Sequence, residues 1–198
     1  MKAKKAATRK PAKAARKVNR SFSTPVAGGT SKGSWHFPPR KAGEAHYWLL
    51  KQEPTDFSFD DLLAVPGKTT NWEGVRNHVA RNFLRDGMAV GDMGFFYHSN
   101  ANPSAVVGIV EIVRAGYPDT TAFDKKSGYY DSGSKADAPV WFQVDVRAVR
   151  KLPRAVSIAD IKAVPALASL VLLHISQLSV QPVSAREWAE IVRLAERP

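Results

Sequence analysis

The chain of 198 residues has no cysteine. That excludes a disulfide framework and thiolate metal sites, and it fits a reducing compartment. Acidic residues are missing from one region only: positions 1–43 hold 12 of the 29 Lys and Arg and no Asp or Glu. The remaining 17 basic residues face all 18 acidic ones, so positions 44–198 carry a net charge of −1. The formal charge of +11 therefore belongs to the N-terminal tail, and it describes the tail's partners rather than the domain's. No stretch approaches the ~18 apolar residues of a membrane span. The longest, Val164 to Leu173, is interrupted by Pro165 and Ser169. The N-terminus lacks the apolar centre of a secretory signal.

Catalytic patterns are scarce. No G-x-S-x-G elbow or Walker-type loop occurs. His98 and Ser99 are strand neighbours, so they point to opposite faces and do not form a nucleophile–base pair. The five histidines show no H-x-x-x-H spacing with a carboxylate, so no metal site is expected. Asp60 and Asp61 read as a helix-dipole pair. No cofactor is implied, and the sequence reads as a non-enzyme.

What is present begins with a tail, residues 1–45, that is Lys/Ala-rich and then Gly/Ser/Thr-rich. It is expected to be disordered, since it offers too little apolar surface to offset its ordering entropy. As a basic arm it would bind phosphates by counterion release. An organellar transit peptide and a solubilising extension are the alternatives. From His46 to Pro198 the pattern is that of one α+β domain. Strands are expected at Tyr47–Leu50, Met93–Ser99, Ala105–Val113, Val140–Val149 and Leu178–Val183. Ser58, Ser157 and Ser184 are placed as N-caps, with Ser184 and Glu187 spaced as a capping box. The connection 115–139 is long and irregular, and its aromatic residues argue that it packs on the domain.

The centre of the reading is Asn71 to Asn82, NWEGVRNHVARN. Val75, Val79 and Phe83 share one helical face, and Asn77, Arg81 and Arg85 fall opposite. Trp72, beside Gly74 and a helix N-terminus, offers an aromatic plate near backbone donors. The competing reading is a core tryptophan anchoring a loop beside a solvated basic face.

Five ordered blocks carry a family resemblance. Tyr47-Trp48-Leu49-Leu50-Lys51-Gln52-Glu53-Pro54 resembles the opening signature of the EVE domain. Asn71-Trp72-Glu73-Gly74-Val75-Arg76-Asn77 with Ala80-Arg81-Asn82 is similar to its central block. Phe95-Phe96-Tyr97-His98-Ser99, then Tyr117-Pro118-Asp119 with Thr121-Ala122-Phe123-Asp124, then Leu178-Ser179-Val180-Gln181-Pro182-Val183 follow in the family's order. The resemblance spans about 46–198 and implies a PUA-like curled mixed sheet, or pseudobarrel, with flanking helices, a fold related to the YTH readers of methylated adenine. It implies a pocket for a modified base, with modified cytosine in DNA leading, and no catalysis. The Arg-rich stretch that often precedes the last block is here Leu173-His174-Ile175-Ser176-Gln177, so groove charge falls to Arg76, Arg81, Arg85 or the tail.

The expected pocket has Trp72 as one wall and Tyr130 on the other, beside Gly74. Lys51, Gln52, Glu53, Asn77, His98, Ser99 and Gln181 supply its polar edge, and Arg76, Arg81 and Arg85 hold phosphates. The expected partner is DNA or RNA carrying a modified base, bound by a monomer with no membrane role. The alternatives are an RNA-binding PUA-like protein or an architectural nucleoid protein acting through its tail. A cytoplasmic or nucleoid location is expected in a bacterium and a nuclear one in a eukaryote, with organellar import an alternative.

Overall fold

The structure, a computed structural model, describes residues 45–197. The expected tail therefore lies outside the described residues, apart from Ala45. Six strands form one curled, open sheet in the order β2-β5-β4-β3-β1-β6. They are β1 (Tyr47–Gln52), β2 (Thr69–Trp72), β3 (Met93–His98), β4 (Ala105–Pro118), β5 (Phe142–Ser157) and β6 (Val180–Val183). Five helices flank the sheet: α1 (Phe59–Ala64), α2 (His78–Asn82), α3 (Ile158–Lys162), α4 (Val171–His174) and α5 (Ala185–Ala195). This is the expected α+β, PUA-like arrangement.

The apolar run that opens the domain becomes β1, flanked by β3 and β6. It pairs parallel with β3 and antiparallel with β6. A parallel pair needs a crossover connection, and α1, β2 and α2 provide it. Alternation along β1 sends Trp48 and Leu50 into one core with Phe59, Trp72 and Phe96. Leu49 goes to a second core with Phe95, Val156, Ile161 and Ile191 on the other face.

The β4–β5 hairpin curls the sheet. Val110 pairs with Ala148 but Ile109 with Arg150, leaving Val149 as an extra residue and 49 % exposed. An inserted residue reverses the inside–outside alternation beyond it. Val144, Val146 and Ala148 thus enter the first core, while Leu152 and Val156, of the same parity, enter the second. Gly108 lies where β4 bends and the Phe59 ring packs directly on it, so a Cβ there would collide.

Ser58, Ser157 and Ser184 each form a capping box, with Asp61, Asp160 and Glu187. Other boundaries differ from expectation. Thr69–Trp72 is an edge strand rather than a loop. The helix expected from Val75 starts only at His78, because Asn77 Oδ1 accepts from the Val79 and Ala80 N–H groups at 2.9 and 3.1 Å and caps it. After Asn82 the helix widens into a π-type turn closed by Met88 N–H on the Phe83 carbonyl. β4 runs on to Pro118 and β5 to Ser157.

Candidate nucleic-acid interface

Parallel pairing brings the ends of β1 and β3 to one edge. Lys51 pairs with Tyr97 and Gln52 with His98, and Ser99 N–H donates to the Gln52 carbonyl at 2.9 Å. Five of the expected site residues, Lys51, Gln52, Glu53, His98 and Ser99, therefore gather there. The β-pleat divides four of them. Gln52 and His98 follow the first core's face, where the His98 ring stands edge-on to Phe96 and its Nε2 accepts the Phe59 N–H at 3.1 Å. That bond requires an unprotonated Nε2, and burial holds the ring below the usual histidine range. Among the described residues Gln52 commits its amide only to a long 3.4 Å contact with the Glu53 carbonyl. Glu53 in turn accepts from Asn100 Nδ2 at 2.6 Å.

Lys51 and Tyr97 face the other side, into a cleft of about 280 Å³. Its polar lining is Lys51, Ser99, Asn100, Ser104, Lys162 and Ser176. Tyr97 and the apolar Ile158, Leu172 and Leu173 complete it. Lys51 Nζ donates to the Ser176 carbonyl at 2.8 Å and lies 5.9 Å from the Tyr97 ring centre. Burial lowers the Lys51 ammonium to a pKa of about 8, because a partly dehydrated cation favours its neutral form.

The rest of the expected pocket does not join this group. Three strands separate β1 from β2, which carries Trp72. Trp72 is 1 % exposed and packs edge-on to Phe96 at 5.5 Å. It is a core anchor, not an open wall, since it sits in the first core with Phe59 and Phe96. Gly74 has φ +76° and is covered by the Tyr129 ring, which would stand 2.7 Å from an added Cβ. Tyr130 is 40 % exposed, and the buried Trp72 offers it no accessible face to stand opposite.

The arginines and Asn77 are also committed. Arg76 donates to the fully buried Asp119 at 2.7 Å, to Thr121 Oγ1 at 3.1 Å and to the Tyr129 carbonyl. Asp119 also accepts from Gly74 N–H at 2.9 Å and from Thr121. Arg76 thus ties the 74–77 segment to the 119–130 segment instead of facing phosphates. Arg81 donates to the Val140 carbonyl at 2.7 Å and lies over Trp141, while Arg85 forms a surface pair with Asp86. Asn77 is spent as a helix cap.

Gln181 belongs to the support of the cleft rather than its lining. It is 1 % exposed, and its Nε2 donates to the Ile175 and Leu178 carbonyls at 3.1 and 2.8 Å, holding the turn that bears Ser176. Its Oε1 has no hydrogen-bond partner among the described residues.

Sequence reasoning missed Tyr97, Asn100, Ser104, Lys162 and Ser176 as cleft residues and Asp119 as the junction between two blocks. Alternation with Phe95 was a usable signal for Tyr97. Lys162 had none, since it arrives from a helix 111 positions beyond Lys51.

The EVE domain profile matches residues 46–194. Chicken thymocyte nuclear protein 1 is 42 % identical over 167 residues, covering 76 % of this chain and 69 % of that protein. A solved Leishmania major hypothetical protein superposes with a TM-score of 0.74 at 44 % identity, covering 79 % of this chain and 98 % of that one. The human THYN1 protein, solved in complex with DNA containing 5-methylcytosine, superposes with a TM-score of 0.75 at 38 % identity, covering 78 % and 99 %. With its five sequence blocks, its curled sheet and a profile match across nearly all of the described residues, this chain belongs to the EVE domain family.

Proposed function

We propose that this chain is a non-catalytic nucleic-acid-binding module that reads a modified base, with 5-methylcytosine in DNA the first candidate. The observation that carries the reading is the likeness to the human relative solved with 5-methylcytosine DNA, which extends over 99 % of that chain. The contact region is the joined ends of β1 and β3. There Gln52 has an amide with one long internal contact among the described residues, and the Glu53 carboxylate beside it offers further acceptor capacity. Base edges are read by such side chains, while phosphate contacts set position. The non-catalytic reading is supported by His98, whose Nε2 is occupied by a backbone N–H and which lies across the strand from Ser99. The basic tail adds sequence-independent affinity, and a nuclear location in a eukaryote follows from the same kinship.

The test is direct. The full chain is titrated with matched DNA duplexes, single strands and RNA that differ only in cytosine methylation, at fixed salt. Tighter binding of the methylated duplex, by roughly the 1–3 kcal/mol that one base typically contributes, supports the reading. Equal affinity for methylated and unmethylated partners of every type overturns it in favour of a plain architectural binder, and a preference confined to RNA moves the substrate class.

A further inference from the structure

We infer that the cleft between the β1–β3 strand ends and the α3–α4 side is an anion site that seats a phosphate of the bound nucleic acid. The inference rests on the nucleic-acid reading above for the phosphate's carrier. The existence of the site rests on the cleft alone.

The lining decides the ligand's charge. Two lysines, Lys51 and Lys162, border the cleft, and among the described residues no carboxylate does. Glu53, just past the end of β1, stays out of the lining, its carboxylate accepting from Asn100 Nδ2 at 2.6 Å. The Ser99 hydroxyl is a donor, Asn100 keeps a second amide hydrogen beside the one it gives Glu53, and Ser104, whose hydroxyl donates to the Ala101 carbonyl at 3.0 Å, lines the wall without adding a donor. Donors thus arrive from the ends of β1, β3 and α3 and from the loop before β4. A tetrahedral anion with acceptor oxygens on several sides matches that distribution better than a flat neutral ring does. The apolar side, Leu172 and Leu173, suits a sugar carried next to the phosphate.

Lys51 has the incentive to bind. Its ammonium has three donor hydrogens, and the described residues supply one acceptor, the Ser176 carbonyl. Partial burial disfavours its charge, and a phosphate would offset the lost hydration with a counter-charge. The charged or titratable groups packed around it are Tyr97 from β3 and Lys162 from α3. The α4 segment contributes Leu172, Leu173 and the Ser176 carbonyl, while His174 turns away to the Ala168 carbonyl. None of these offers a negative charge near neutral pH, since burial pushes the Tyr97 phenol further up.

The test uses the full chain and a local readout, because the tail also attracts phosphate. Backbone amide NMR signals of Ser99, Asn100 and Ser176 are followed during titration with inorganic phosphate, then with deoxycytidine 5′-monophosphate and deoxycytidine. We expect saturable shifts with both phosphates, and at least tenfold weaker binding of the nucleoside. Between pH 7 and 9.5 the affinity for deoxycytidine 5′-monophosphate, whose second phosphate ionisation lies at about pH 6, should fall several-fold at these amides as Lys51 loses its proton, whereas a lysine of ordinary pKa would change little. Lys51→Gln and Lys162→Gln should each weaken the shifts. If neither variant folds, the wild-type titration and its pH profile still decide.

Amides that do not move with phosphate, or an affinity flat across that pH range, would overturn the site. The methylated-to-unmethylated affinity ratio is measured on the same proteins. A Lys51→Gln chain that binds both oligonucleotides more weakly at an unchanged ratio supports a phosphate seat. Loss of methylation preference in the wild type, with the phosphate shifts intact, leaves this site standing and removes the base reading instead.

Discussion

Trp72 illustrates how one side chain can carry a recognition-like sequence signature and serve packing. Its indole is enclosed with Phe96 and Phe59 in the first core, where truncation leaves a cavity that neighbours fill only in part. Trp72→Ala should lower stability by about 3–5 kcal/mol in urea unfolding, and Trp72→Phe by less. A Trp72→Ala protein within about 1 kcal/mol of wild type would mean that the ring is not a core anchor. Arg76 follows the same logic: an arginine beside a tryptophan and a glycine invites a phosphate, yet its guanidinium is bound by Asp119, 43 positions away. Pairing over that separation leaves no trace in local spacing. By contrast, the three serine caps were legible because each cap and its acidic partner lie three residues apart.

At the scale of elements, the β4–β5 hairpin decides which face each core residue enters. Alternation in Val140–Val146 is plain in the sequence, but it breaks at Val149, where the strand bulges and continues for eight more residues to Ser157. The bulge is set by pairing register with β4, so the sequence of β5 alone suggested an end there. Val149 itself is exposed, and Val149→Thr should alter stability by no more than about 0.5 kcal/mol. Deleting Val149 is a different matter. It would rotate Leu152 and Val156 from the second core toward the first, unless the bulge moved elsewhere. The deletion should abolish cooperative unfolding by calorimetry. A sharp transition near the wild-type temperature would show that the register is not fixed by this residue. The same contrast between local and paired information explains the site: Lys51–Glu53 and His98–Ser99 were each legible as strand ends, and parallel pairing brought them together. Thr69–Trp72 was read as a loop because its partner, Val144–Arg147, lies more than 70 positions away.

For the whole molecule, charge and fold are separate in sequence. Residues 44–198 are near neutral, while residues 1–43 carry 12 positive charges. Within the domain the arginines expected to hold phosphates are engaged, Arg76 by Asp119, Arg81 by the Val140 carbonyl and Arg85 by Asp86. A domain so balanced would bind a polyanion through few contacts, and a strong salt response must come from the tail. Each phosphate neutralised on duplex DNA adds about −0.9 to the slope of log affinity against log salt. Engagement of half the tail's charges would therefore add roughly −5, a loss of about a thousandfold between 50 and 200 mM salt. Removing residues 1–43 should flatten the slope by that amount and weaken binding at low salt, while leaving the ratio of affinities for methylated and unmethylated DNA unchanged. On the proposed reading that ratio belongs to the strand-end region, which the deletion does not touch. An unchanged slope in the shortened protein would exclude the tail from phosphate contact and return the salt response to the domain. A changed methylation ratio would instead mean that the tail takes part in reading the base.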